Sequence, residues 1–293
     1  MNRRIIFASN MYMRKLFLLI AVVFGLQGVT NGQFYYQDIF NTIRTENNLQ
    51  VLKENKVLTQ WVESLDANME SDDDFRCQRE ILQNYRKMKS KVQSRATGYS
   101  SMMSYFSTNG KLTKTVDSSQ NSTTIINYIR DTAYKLTEVY LVSQDQKSKY
   151  QFTETRRYIY DSLGRPLKMI HFHNDRIQDS STVTFTLNEK GQVAEEFESG
   201  NNVYSQRIYY KYNDKGLLTD IVRYSPSRQK MLPDYMFEYD NLKRITQMTT
   251  VNGQSANYTI WKYTYNIQGL PDKEECYGKK NELLGIIKYR YSK

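Results

Sequence analysis

Histidine is nearly absent from this chain, with two in 293 residues, and cysteine (two), tryptophan (two) and proline (four) are almost as scarce. Each scarcity closes off a class of chemistry. His171 and His173 are too few for a three-histidine metal centre, and no His-Glu-x-x-His or Cys-x-x-Cys occurs. A Gly-x-Ser-x-Gly elbow and a phosphate-cradling glycine loop are missing too. Cys77 and Cys276 stand far apart. They form one disulfide around a very long loop in an oxidising compartment, or they stay two separate thiols. Long apolar runs are lacking as well. The one such stretch, Leu16 to Leu26, falls short of the ~20 residues a membrane-spanning helix needs.

That short run has its own meaning. Arg14-Lys15 precedes it, and Gln27-Gly-Val-Thr-Asn-Gly-Gln33 follows it. A basic segment, an apolar core and small residues at the exit describe a secretory signal peptide over residues 1–32, with cleavage near Gly32 or Gln33. The expected location is therefore secreted, periplasmic or associated with the outer membrane. The formal charge of +10 falls to +6 without residues 1–32, which carry Arg3, Arg4, Arg14 and Lys15 and no acid. No basic cluster joins a nucleic-acid-binding motif, so nucleic acid is not an expected partner.

Residues 33–97 form an expected N-terminal helical segment. From residue 34 they contain no glycine or proline, and Leu58, Trp61, Val62 and Leu65 fit the i, i+3, i+4, i+7 rule of a helix face. Ser71-Asp-Asp-Asp reads as an N-cap for a second helix carrying Cys77, Ile81, Tyr85, Met88 and Val92 on one stripe, with cations in its last turns.

From residue 98 onward, what is present is tyrosine: 25 in the chain, alongside 12 phenylalanines. Aromatics of this kind suit a pleated, half-buried surface. Anchors at Phe106, Arg130, Tyr160, Leu187, Tyr212, Tyr239, Tyr265 and Tyr291 recur at intervals of 24 to 30 residues, the mark of an array of one supersecondary unit. Aromatic or apolar residues also lie two and four positions before most anchors, a period-2 alternation that puts them on one strand face. Glycine stands four residues after most anchors, at 110, 164, 191, 216 and 269, in turns often opened by Asn or Asp. That pattern predicts a type I turn closed by a left-handed residue. Tyr134 and Lys243 hold the glycine place in two copies, so those turns are expected to differ.

The fold expected is mainly β: a long, curled antiparallel meander of about 15 repeated strands, its closure left undecided by the sequence, with the N-terminal helices packed on it. An outer-membrane barrel is disfavoured, because three apolar residues per strand cover about 14–17 Å and the lipid-facing band needs about 25 Å. The units Tyr158-Ile-Tyr-Asp-Ser-Leu-Gly164, Tyr210-Lys-Tyr-Asn-Asp-Lys-Gly216 and Phe237-Glu-Tyr-Asp240 resemble the YD repeats of bacterial RHS proteins. The likeness covers roughly residues 102–293 and is greater to the small secreted YD-repeat proteins of Gram-negative bacteria. It implies a repeat sheet and an envelope compartment, and it supplies no active-site residues.

Catalytic residues and cofactors are accordingly not expected. His171 and His173 point to one strand face and are the only pair to consider for a metal, without an identifiable third ligand. Glu195-Glu196 and Glu274-Glu275 point to opposite faces and cannot act as acid–base pairs. The expected function is a non-enzymatic binding or scaffold surface, with an unidentified partner such as an envelope glycan or protein. The alternative is a carbohydrate-binding module in which Trp261, Tyr263, Tyr210 and Tyr212 stay exposed and stack on sugar rings.

Overall fold

The computed structural model describes residues 33–71, 74–94, 98–200, 206–225, 229–252 and 257–293. The expected signal peptide lies outside these residues, as do Asp72 and Asp73 of the expected helix cap.

The chain begins with a π-helical segment, Tyr35–Phe40, that runs directly into helix α1, Asn41–Glu54. Eighteen strands follow among the described residues. The first half comprises β1 (Thr59–Asp66), β2 (Arg76–Leu82), β3 (Lys87–Ser94), β4 (Gly98–Phe106), β5 (Leu112–Ser118), β6 (Ser122–Arg130), β7 (Leu136–Asp145), β8 (Gln151–Tyr160) and β9 (Pro166–His173). The second comprises β10 (Ser181–Leu187), β11 (Val193–Ser199), β12 (Gln206–Tyr212), β13 (Leu218–Ser225), β14 (Lys230–Tyr239), β15 (Ile245–Asn252), β16 (Asn257–Tyr265), β17 (Pro271–Tyr277) and β18 (Leu283–Ser292). Each strand pairs antiparallel with the next, and β1 also pairs with β18 over its whole length, from Thr59↔Ser292 to Asp66↔Gly285. The sheet is a closed up-and-down barrel of eighteen strands among the described residues, in place of the curled meander of about 15 strands expected.

The three extra strands are β1, β2 and β3, which occupy the region expected to be helical. The reason is arithmetic. Cys77 to Ile81 and Met88 to Val92 are spaced by four, which is both one helical turn and two strand repeats. In the structure they face each other across a hairpin, as Cys77↔Val92 and Ile81↔Met88. Gln83, Asn84 and Tyr85 make its turn in left-handed conformations without a glycine. The Leu58–Leu65 stripe also fails as a helix face: Val62 and Leu65 are buried, while Leu58 and Trp61 are exposed. Across the domain boundary expected at 97/98, β3 and β4 pair as one hairpin.

The alternation itself behaves as the sequence implies. Ile208, Tyr210, Phe237, Trp261, Ile287 and their counterparts turn inward and join one core cluster. Their neighbours Lys211, Glu238, Lys262 and Arg290 are exposed. Outer charges pair across the strands, as in Arg157–Glu138 (2.9 Å) and Arg207–Glu195. No helix among the described residues is long and apolar enough to cross a membrane.

Two devices recur with the repeat. In the turn, the opening acid or amide accepts two backbone N–H groups: Asp240 Oδ1 from Leu242 and Arg244, Asn266 Oδ1 from Gln268 and Leu270. At the anchors of β8, β12, β14 and β16 a β-bulge accompanies a tyrosine whose hydroxyl donates to a carbonyl of the preceding hairpin, and Tyr291 of β18 makes the same kind of bond in unshifted register. Tyr160 reaches Leu136 O (2.6 Å), Tyr212 reaches Val193 O (2.8 Å), Tyr239 reaches Leu218 O (2.6 Å), Tyr265 reaches Ile245 O (2.8 Å) and Tyr291 reaches Pro271 O (2.7 Å). These rungs stitch hairpin to hairpin beyond the sheet's own ladder. Contrary to expectation, the Tyr134 and Lys243 turns do not differ. Both residues sit left-handed, at φ 61° and 63°, and keep the same closing bonds to Asp131 O and Asp240 O.

Cys77 and Cys276 are free and buried. Three strand-to-strand steps, along β17, β18, β1 and β2, separate them. At ~4.8 Å a step that is roughly 14 Å, far beyond disulfide reach.

Three substitutions test these devices. Tyr239→Phe deletes one rung and leaves Leu218 O without that donor; a loss of about 1 kcal/mol in urea unfolding is expected. A Cβ at Gly110 meets nothing within 4 Å, yet φ is +72°. Gly110→Ala therefore costs about 1 kcal/mol through backbone strain alone, whereas Lys243→Gly relieves such strain and does not destabilise.

Candidate functional site

The helical segment sits in the lumen. Tyr36 packs on Tyr235 and Phe237 of β14, while Asp38 contacts Arg156 and Tyr158 of β8, six strands away around the wall. Only an element inside the barrel reaches both. The last turn of α1 closes one end: Leu49 packs with Phe106 and Leu112, and Leu52 with Val57, Ile81 and Leu270.

The chemistry-bearing side chains gather where this plug meets the wall. Glu196 of β11 is 2% exposed and accepts four donors. Oε1 takes the backbone N–H of Gln33 and of Phe34 (3.0 Å), and Oε2 takes the N–H of Tyr35 (3.0 Å) and the hydroxyl of Tyr210 (2.9 Å). Burial pushes this carboxyl up to about 7, against the pull of those donors. Beside it, Asp38 accepts from Arg156 Nη1 (2.8 Å) and Tyr158 Oη (2.6 Å). On α1, Glu46 binds Lys111 Nζ (2.9 Å), Arg130 Nη2 (2.5 Å) and the N–H of Leu112 (3.1 Å).

His171 lies in this network, its ring 5.0 Å from that of Phe34. Nε2 meets Glu154 Oε1 (2.9 Å), Nδ1 meets Glu198 Oε1 (3.0 Å), and Ser181 Oγ donates to the same Glu198 oxygen (2.6 Å). Burial alone would lower the His171 pKa, but the two carboxylates hold it up at about 9. Burial would likewise raise Glu154, but the bond to His171 and the charge of Arg156 hold it down at about 2. Burial and the neighbouring His171 charge lower His173. Glu154, His171 and His173 bring ligand-type atoms within 4.8 Å of one another, so the structure does supply the third residue that the sequence did not identify. Both His171 nitrogens are already engaged by carboxylates, so an ion there would have to displace one of these bonds.

The four aromatics expected to form a ligand face do not lie on the outer surface. Trp261 and Tyr210 are each 3% exposed, and Tyr263 and Tyr212 pack against the core. Tyr210 serves Glu196, and Tyr212 makes a rung. Glu195 and Glu275 face outward to Arg207 and Lys273, while Glu196 and the half-buried Glu274, bonded by Tyr289 Oη (2.5 Å), face inward. Sequence reasoning weighed Glu196 only as half of an acid pair, and it assigned no role to Glu154, Arg156 or Glu198. The available signal was their parity: charged residues at positions of the apolar face demand partners from inside.

Two shallow hollows lie on the wall. One, of about 400 Å³, is lined by Gln83, Arg86, Lys87, Tyr105, Phe106 and Thr113. The other, of about 340 Å³, surrounds Trp61 with Glu63, Gln78, Arg76 and Arg290.

No family model matches this chain, and no curated protein matches it. Among solved structures, a Photorhabdus luminescens Tc holotoxin pore aligns at 14% identity and a TM-score of 0.34, over 75% of this chain and 12% of the toxin chain. A porin-like protein from Bacteroides uniformis aligns at 10% identity and a TM-score of 0.37, over 80% of this chain and 98% of its own. One from Bacteroides vulgatus gives 11% and 0.23, over 80% and 98%. Likenesses this distant carry no argument about activity or membrane insertion.

The His171 cluster predicts a pH signature. Its folded pKa, about 9, exceeds the unfolded value near 6.5, so its contribution is fully present below 6.5 and is lost as pH rises through 9. Glu154, at about 2 against 4.5, contributes above 4.5 and loses that contribution as pH falls through 2. The stability difference between the parent protein and His171→Leu is expected to be largest at pH 4.5–6.5 and to shrink by up to ~3 kcal/mol by pH 10. A difference that stays flat across that range, or an NMR titration of His171 near 6.5, sinks the assignment.

Proposed function

We propose that this chain is a non-enzymatic protein of the cell envelope or the secreted fraction, whose barrel wall serves as a binding or scaffold surface. The observation that carries the reading is the commitment of the inner polar groups. Glu196 is taken up by backbone amides, His171 by two carboxylates, Asp38 by Arg156 and Tyr158, and Glu46 by Lys111 and Arg130. A catalytic site keeps a reactive group beside a space for substrate, and here the space is occupied by α1. The compartment is supported by the basic and apolar run before Gln33. The YD-like repeat is consistent with it. The wall presents interleaved charges and hydroxyls, a surface for a polar partner rather than for lipid.

A carbohydrate-binding role is the second reading, and one observation favours it at a position other than the aromatic rows. Trp61 is 39% exposed and sits between its cross-strand neighbours Arg290 and Gln78, with Glu63 in the same hollow. An open indole ringed by hydrogen-bonding side chains suits the apolar face and hydroxyls of a sugar.

The test is sedimentation of the purified protein, without detergent, with outer-membrane, peptidoglycan and polysaccharide fractions. Retention by one fraction is expected, together with the absence of conductance steps in planar bilayers. Channel activity, or failure to be retained by any fraction, overturns the proposal. In the glycan case Trp61→Ala abolishes retention while Trp261→Phe preserves it.

A further inference from the structure

Gln33 is the first described residue, and its surroundings are unlike those of a residue leading into a fold from outside. It is 1% exposed. Its backbone nitrogen donates to Glu196 Oε1, and its side-chain Nε2 donates to Asp234 Oδ2 (2.5 Å). Asp234 is held in turn by Arg223 Nε and Nη2, both at 2.7 Å to Oδ2. Gln33 also takes φ +71°, a left-handed conformation disfavoured for a side-chain-bearing residue within a chain. That penalty arises from contact with the preceding carbonyl and vanishes when no residue precedes. Immediately upstream, Thr30-Asn31-Gly32 places small residues one and three positions before the Gly32–Gln33 bond, twelve residues or fewer after the apolar run.

We propose that the Gly32–Gln33 bond is a processing site, and that the α-amino group it releases is a buried structural charge seated on Glu196. An envelope signal peptidase supplies the catalysis and water the second reactant. Hydrolysis leaves a carboxylate on Gly32 and an amine on Gln33, which takes up a proton to become an ammonium. Glu196 then faces a full positive charge where an uncut chain offers one amide N–H. The pairing with Phe34, Tyr35 and Tyr210 already in place neutralises the remaining lone pairs of the carboxylate. The protonated amine is no nucleophile, and the Gln33 side-chain amide is engaged by Asp234, so ring closure of the new terminus to pyroglutamate is blocked in the folded state. Processing and seating of the plug become one event: the charge that docks the helical segment exists only after cleavage.

The inference rests on the secreted reading for its protease. The full-length chain is expressed with export intact, and the mature protein is characterised by N-terminal sequencing, intact mass and acylation of its α-amine at neutral pH. The expected result is a chain beginning at Gln33 without loss of ammonia. Its α-amine is acylated on the order of 100-fold more slowly in the native state than after unfolding. Glu196→Gln is expected to expose the amine to native acylation. Because that variant could fail to fold, a form that keeps an extra Met before Gln33 serves as a second probe, expected to melt below the processed protein. An exported chain cut elsewhere, a pyroglutamate terminus, or an α-amine acylated equally fast in the native state overturns the inference and leaves the secreted reading intact. A chain that is neither exported nor cut overturns both.

Discussion

Closure of eighteen strands sets the constraint from which the rest of this structure follows. The diameter of a barrel grows with strand number, and at sixteen to eighteen strands the wall's own side chains no longer meet across the lumen. Such a barrel either carries water or holds a plug. Here the inward rows are Tyr, Phe, Trp, Ile and Val, which water would not wet favourably, and the 20-residue helical stretch Tyr35–Glu54 supplies the missing contents. Helix and wall are thus mutually dependent. A helix of this length is marginal alone, and the wall without it would leave its aromatic lining exposed.

The tyrosine rungs answer a second demand of closure. Every hairpin must curve by the same amount for β18 to arrive beside β1, so each needs the same local bend. The bulge at the anchor supplies it, and the anchor hydroxyl ties that bend to the preceding hairpin at Leu136, Val193, Leu218 and Ile245. This explains why the repeat specifies tyrosine rather than phenylalanine at most anchors: the ring packs against the core, and the hydroxyl finds a backbone carbonyl of the preceding hairpin.

From about residue 98 onward, the strands, their inward rows and their turns were legible because period-2 alternation and Asx–Gly turns are local signals. The first three strands were not, since a spacing of four serves both a helix and a strand and no glycine marks their turns. Closure was illegible for a different reason. The pairing of Thr59–Asp66 with Gly285–Ser292 joins the two ends of the chain, and neither segment carries a local trace of the other. The site was half legible. Glu196 and Glu198 fall on the inward face by parity, but their partners come from the helical segment and from β9, and only the folded barrel brings these together. The aromatic rows were correctly placed on one face. What alternation cannot tell is whether that face looks at solvent or at a plug, and this decides between a ligand platform and a core.

The buried charges are better explained by specificity than by stability. Desolvating Asp38, Arg156, Glu46 and Glu196 costs several kcal/mol per ion, and well-packed apolar substitutes would often serve stability as well. Apolar contacts alone, however, would let a helix slide or rotate within a wide aromatic tube, since one ring packs on another almost as well a turn further on. The charges remove that freedom. Asp38 and Glu46 lie on the helical stretch two turns apart and bind Arg156 on β8 and Arg130 on β6, while its start is held by Glu196 on β11. Moving the helix by one turn would break all three sets at once and leave each ion buried without a partner. The network therefore fixes one depth and one rotation, which gives the carboxylates on the apolar face of the repeat a structural role.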